Sequence, residues 1–266
     1  MPTVAVSSPN GGVGKTTLIA NLAVELASPD RRVTLVEFSD QNILRRYFGL
    51  DTTIARTIVP GETNVAESAA AIAAGAYWVD DNVRLIPYGA LAAEGEYVSP
   101  HLGLSFAEAL SATEPFRDDL VLVDMPATAL SALKAHANID LIMYVLRADL
   151  SSAAVMMDHD LAADQEGRSL ANIRYLINQI DRRRPLCVDV EDTLKVALGD
   201  QLLSCVGYDE AAPESFARGV ISAKASPHSA MLSELKTLAG KIDALLIDAS
   251  KGEKVFTPTI VAAQSA

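Results

Sequence analysis

The stretch that most constrains this chain is Ser7-Ser8-Pro9-Asn10-Gly11-Gly12-Val13-Gly14-Lys15-Thr16-Thr17, which follows the apolar run Thr3-Val4-Ala5-Val6 and precedes a helical pattern from Leu18 to Leu26. A strand, a glycine-rich turn and a helix start, in that order, predict a phosphate cradle. Glycines at 11, 12 and 14 let backbone N–H groups approach an anion with no Cβ in the way, and the helix beginning near Lys15 turns its positive dipole end to the same place. Lys15 can then reach β- and γ-phosphate oxygens, and the Thr16 hydroxyl can ligate Mg²⁺. The bland alternative is a glycine-rich βα turn with a chance lysine.

A second stretch, Asp119-Leu120-Val121-Leu122-Val123-Asp124-Met125-Pro126, reads as a buried strand whose carboxylate appears just as the apolar run stops. In a parallel sheet the C-terminal strand ends face the ligand crevice, so Asp124 is expected beside the cradle, holding Mg²⁺ or one of its waters. Glu37 closes another apolar run, Val33-Thr34-Leu35-Val36, and could serve the same metal shell. For both acids the ordinary alternative is a solvated strand-end carboxylate. Asn178 ends the run from Ile173 at the crevice edge; its amide offers the donor and acceptor that an adenine edge needs, and a turn-capping role competes with that. Gly207-Tyr208-Asp209-Glu210 follows the last strand, placing Tyr208 where it could cover the base.

Apolar β-type runs alternate with helical patterns from residue 3 to 249, which predicts an α/β fold with a mainly parallel, doubly wound sheet. Strands are expected at 3–7, 33–38, 83–87, 119–126, 141–146, 173–178 and 202–206. Helices are expected at about 16–27, 65–76, 104–110, 130–137, 153–163, 213–218 and 229–247, with a short amphipathic one at 43–48 that Gly49 ends and residues 39–42 cap. No linker divides residues 1–249, and 250–266 show no sustained period, so one domain with a mobile tail is the expectation.

The 266 residues carry a formal charge of −12, which disfavours a surface that captures nucleic acid through its phosphates. The run Arg182-Arg183-Arg184 reads as a solvated turn. Cys187 and Cys205 give neither metal spacing nor a disulfide framework and are expected as buried thiols. Four histidines are scattered without ligand spacing. With no signal-like start and no apolar run of membrane-spanning length, a soluble cytoplasmic protein is expected.

Gly11-Gly12-Val13-Gly14-Lys15-Thr16-Thr17 resembles the deviant Walker A loop of the MinD/ParA ATPases, a P-loop NTPase class. The stretch Gln41-Asn42-Ile43-Leu44-Arg45-Arg46-Tyr47-Phe48, together with Leu85-Ile86-Pro87-Tyr88-Gly89, Leu122-Val123-Asp124-Met125-Pro126 and Tyr208-Asp209-Glu210-Ala211, resembles the cellulose-biosynthesis BcsQ family within that class. Two positions depart from the superfamily pattern. Asn10 stands where a signature lysine normally crosses a dimer interface to the partner's nucleotide, and Ser39 where a carboxylate orients the attacking water. The resemblance implies a homodimer closed around ATP and Mg²⁺, with Lys15, Glu37 and Asp124 at the chemistry. Asn10 to Thr17, Asn178 and Tyr208 would hold the nucleotide. It further implies support for assembly or localisation of a cellulose synthase and secretion complex, a small operon-encoded partner, and recruitment to the inner membrane or cell pole. An uncharged amide at 10 and a hydroxyl at 39 lead us to expect slow hydrolysis. The competing expectations are a DNA- or pole-associated partitioning ATPase, which the charge balance and Ser39 disfavour, and a small-molecule kinase on the same fold.

Overall fold

A computed structural model describes residues 2–39, 41–50, 75–88, 116, 118–127, 139–156 and 172–250. Eight strands form one sheet: β1 (Thr3–Ser7), β2 (Val33–Glu37), β3 (Tyr77–Asp80), β4 (Val83–Ile86), β5 (Leu120–Asp124), β6 (Leu141–Arg147), β7 (Ile173–Ile180) and β8 (Leu202–Gly207). Their spatial order is β3-β4-β2-β5-β1-β6-β7-β8, and every neighbouring pair is parallel except the hairpin β3-β4. This is the expected mainly parallel α/β fold.

The central strands are uninterrupted apolar runs because both of their faces are covered. Ala5, Val121, Val123, Ile142 and Tyr144 pack on one face, and Val4, Val6, Leu122, Met143 and Val145 on the other. On the second face lie α1 (Lys15–Leu26), through Leu18, Ile19, Leu22 and Leu26, and the long C-terminal helix, through Leu232, Leu235, Leu238 and Ile242. The first face is covered by α2 (Pro185–Leu198), whose Cys187, Val190, Leu194 and Leu198 join the core there. Two short helices, α3 (Ala211–Ala217) and α4 (Ser222–Ala225), connect β8 to the C-terminal helix α5 (Ala230–Ser250).

Several expectations need correction. Edge strand β3 was not expected, because Tyr77-Trp78-Val79-Asp80 is only partly buried and takes its stability from pairing with β4 rather than from two-sided packing. Helix α2 was also not expected; charged residues dilute its apolar period, and its start is set by Pro185 at the first turn. The segment at 43–48 is a 3₁₀ turn, Leu44–Phe48, and among the described residues 39, 41 and 42 no side chain caps it. Strand β7 runs two residues beyond Asn178, to Ile180. Cys187 is buried but Cys205 is half-buried. Arg182–Arg184 do form a turn, where Arg183 pairs with Asp181 and Arg182 with Glu191. The helices expected at 104–110 and 130–137, most of those at 65–76 and 153–163, and the tail fall outside the described residues, although residues 150–156 are helical.

At the sheet's N-terminal edge, Asp119 is fully buried and its carboxylate accepts from Arg84, from Arg32 Nε at 3.0 Å and from the Thr34 hydroxyl at 2.5 Å. The Arg84 guanidinium lies over Phe116 at 4.1 Å and Trp78 at 5.1 Å, so this one carboxylate ties β5, β2 and the β3-β4 hairpin together. Asp119→Ala is expected to lower stability by about 3 kcal/mol in urea unfolding, because it strips a buried guanidinium of its charge partner. A loss under about 1 kcal/mol would mean the edge is held by packing alone.

Candidate functional site

The site is built where β1 stops. From Ser8 to Gly14 the chain turns across the C-terminal edge of the sheet and enters α1 through Gly14, which adopts the left-handed conformation with φ 87° and ψ 19°. A Cβ at this position would lie 2.5 Å from Asn178 Nδ2 and 2.9 Å from Gln179 Nε2, so glycine is required both by the backbone and by the close approach of β7. No side chain caps α1 and its first turn carries no acid, which leaves the N–H groups of the helix start facing the loop.

Five hydrogen bonds set the cradle's shape. The Lys15 ammonium donates to Ser8 Oγ at 2.8 Å, and that hydroxyl donates to the Asn10 carbonyl at 2.6 Å, so the lysine is folded back over its own loop. Asn178 Nδ2 donates to the Val13 carbonyl at 2.8 Å and Gln179 Nε2 to the Gly12 carbonyl at 3.4 Å, fastening the loop to the end of β7. The Asn10 amide donates to Ser151 Oγ at 3.1 Å, which fixes its place on the rim. Asn178 thus fastens the loop with one N–H of its amide instead of capping a local turn.

Register then delivers the carboxylates. Val6 pairs with Asp124 across β1-β5, and Glu37 pairs with Asp124 across β2-β5. Neither acid is a solvated strand end: both are fully buried. The Thr16 hydroxyl donates to Asp124 Oδ2 at 2.8 Å, while Asp124 Oδ1 and Glu37 Oε2 have no hydrogen-bond partner among the described residues. Glu37 Oε1 accepts from the Leu44 N–H at 2.9 Å, so a cap of the 3₁₀ turn comes from β2. Burial raises the Asp124 carboxyl to about 6, against the pull of Thr16 and Lys15, and raises Glu37 to about 8, with the Asp124 charge adding to the effect. Burial also lowers Lys15, partly offset by Asp124. Orphaned, buried carboxylate oxygens beside a threonine hydroxyl are the oxygen donor set that suits a hard divalent cation such as Mg²⁺.

Beyond the cradle, a cavity of about 260 Å³ opens between α1, the end of β7 and the β8-α3 connection. Gly14, Thr17, Tyr47, Asn178, Tyr208 and Phe216 are among its walls. Tyr208 is 44% exposed and donates to Glu210 Oε2 at 3.1 Å, which keeps the ring at the cavity mouth. Asp209 holds the floor, its two oxygens accepting from the Ala211 N–H at 2.9 Å and the Met231 N–H at 3.1 Å. Sequence reasoning missed Tyr47, Gln179 and Phe216 as parts of this site. Gln179 adopts a positive φ of 57°, and Tyr47 and Phe216 reach the site through contacts distant in the chain.

The sequence model of the family described as Cellulose biosynthesis protein BcsQ matches residues 1–242. The chain belongs to the BcsQ family. It is 27% identical over 213 residues to an uncharacterized protein of Pseudomonas putida, covering 76% of this chain and 79% of that protein. In fold it is similar to the MinC:MinD cell division protein complex of Aquifex aeolicus, with a TM-score of 0.69, 16% identity, and coverage of 92% and 96% of the two chains. It is likewise similar to the septum site-determining protein MinD of Pyrococcus horikoshii, solved with Mg-ADP, with a TM-score of 0.66, 22% identity, and coverage of 92% and 96%. This BcsQ-family chain therefore has the MinD/ParA ATPase fold, as the loop and strand motifs led us to expect.

The raised carboxyls make stability depend on pH. Between the ordinary values of 3.8 and 4.5 and the folded values of about 6 and about 8, the folded chain holds protons that the unfolded chain has released. Stability of the ligand-free protein is therefore expected to fall as pH rises from about 4 to about 8. Glu37→Gln keeps an oxygen to accept from Leu44 and should flatten the upper part of that decline in thermal unfolding; a variant as pH-dependent as wild type would contradict the assignment.

Proposed function

We propose that this chain binds ATP and ADP with Mg²⁺, hydrolyses ATP slowly, closes as a homodimer around the nucleotide, and in that form supports assembly or localisation of a cellulose synthase complex. The carrying observation is that the uncapped helix start and the cavity are continuous through Gly14 and Thr17, so one ligand with a polyanionic end and a flat, half-apolar end fits both. A nucleotide has that form.

In this reading the loop N–H groups from Gly11 to Thr17 hold the phosphates, and Lys15 leaves Ser8 to place its charge on their terminal oxygens. Thr16 and Asp124 would hold Mg²⁺, which would supply charge neutralisation at the transferring phosphate. Glu37, one strand away, sets the charge around that metal and anchors the turn after β2. The base occupies the cavity beneath Tyr208, with Asn178 at its edge.

Slow turnover follows from two residues. Asn10, already engaged with Ser151, brings no charge to offset the transition state, and the Ser39 hydroxyl is a weak acceptor for the proton of an attacking water. A protein that binds tightly and turns over slowly holds its closed form long enough to recruit others, which suits a scaffold. The cellulose assignment rests on the description of the matching family. Peripheral contact with an inner-membrane complex through protein partners accords with the finding that no helix among the described residues is long and apolar enough to cross a membrane.

Lys15→Ala is expected to abolish binding of Mg·ATP in calorimetric titration, and an unchanged affinity would contradict the cradle assignment. Asn10→Lys and Ser39→Asp are each expected to raise the ATP turnover rate; if neither does, the cause of slow hydrolysis lies elsewhere.

A further inference from the structure

Tyr47 sits in the 3₁₀ turn after β2, thirty residues along the chain from Thr17, and only 7% of its surface is exposed. Its hydroxyl meets the Thr17 hydroxyl at 2.7 Å, and both residues line the cavity wall. Two hydroxyls bring two protons to this contact, and their mutual bond uses one. Among the described residues no acceptor stands ready for the other. The pair therefore offers the cavity one unspent O–H donor.

The donor is also held still. The turn is fixed at its start by the Glu37 carboxylate on Leu44, and the Tyr47 ring packs against Phe216 with centroids 4.6 Å apart. At its far end Gly49 lies so close to the next element that a Cβ there would come within 3.1 Å of the Gly219 carbonyl. Anchors on β2, α1 and α3 leave the phenol little room to swing away.

Position along the ligand follows from the lining residues. Lys15 and Thr16 face the terminal phosphates and the metal, and neither lines the cavity, whereas Thr17 does. The Thr17-Tyr47 pair thus stands at the junction of cradle and cavity. We propose that Tyr47 is a nucleotide-binding residue: the one O–H that its pair with Thr17 leaves unspent donates a hydrogen bond to the phosphate nearest the sugar. This rests on the nucleotide reading of the cavity and adds a contact from outside the P-loop.

The test is Mg·ADP affinity of the full chain by calorimetric titration. Tyr47→Phe removes the oxygen and keeps the ring on Phe216, and is expected to weaken binding about tenfold, the usual cost of losing a hydrogen bond to a charged group. The same factor is expected with 2′-deoxy-ADP, since the contact is to phosphate. Thr17→Val reads the pair from the helix side should Tyr47→Phe lower the thermal midpoint. The double variant is expected to lose less than the product of the single losses, because the two hydroxyls act as one unit. Wild-type binding with undiminished affinity in Tyr47→Phe would overturn the proposal, as would a loss seen with ADP and absent with 2′-deoxy-ADP. Failure of the wild-type chain itself to bind Mg·ADP would instead remove the nucleotide reading on which it rests.

Discussion

The arrangement depends on a carboxylate placed where carboxylates are costly. Asp124 ends an apolar strand between β1 and β2, fully buried, with one oxygen on the Thr16 hydroxyl and the other without a partner among the described residues. Such burial disfavours the charged form unless a cation arrives, and its pull shows in the carboxyl's rise to about 6. The first turn of α1 supplies the opposite condition, N–H groups with no side-chain cap to accept them. A cation at Asp124 and an anion at the helix start would relieve both strains at once, and a metal-bound phosphate is the simplest species that does so. The remaining features, from the Ser8 tether on Lys15 to the Asn178 and Gln179 latch, keep the two demands within reach of each other.

The parts of this molecule visible in its sequence are those determined by neighbours along the chain. Residues 3–26 and 119–126 could be read because burial on both faces turns a strand into an unbroken apolar run, and a glycine-rich turn needs its special backbone wherever it occurs. What could not be read is held by partners distant in sequence. The 3₁₀ turn takes a cap from the Glu37 carboxylate on β2. Tyr47 looks like one apolar position on an amphipathic face until the fold brings Thr17 to its hydroxyl. Strand β3 is half-exposed and borrows its order from β4 and from Arg84 over Trp78, and the charged residues of α2 obscure a period that is plain once Cys187, Val190, Leu194 and Leu198 are seen on the sheet.

Two substitutions give the proposed function its character. As proposed, the side that grips keeps its glycines, Lys15, Thr16 and Asp124, and the side that cuts is weakened by Asn10 and Ser39, in the positions that resemble catalytic ones. In the proposed reading, retaining the first while losing the second would convert an energy-consuming cycle into a long-lived closed state. That is the chemistry a scaffold requires, and it accords with membership of a family described by cellulose biosynthesis rather than by segregation or division.

The central claim is that one adenine nucleotide occupies the cradle and cavity together, with its metal at Asp124. Calorimetric titration of the purified chain with ADP, in the presence of Mg²⁺ and again with the metal chelated, tests this most directly. The account predicts one site per chain and clearly tighter binding when Mg²⁺ is supplied; no saturable binding, or an affinity indifferent to Mg²⁺, would contradict it.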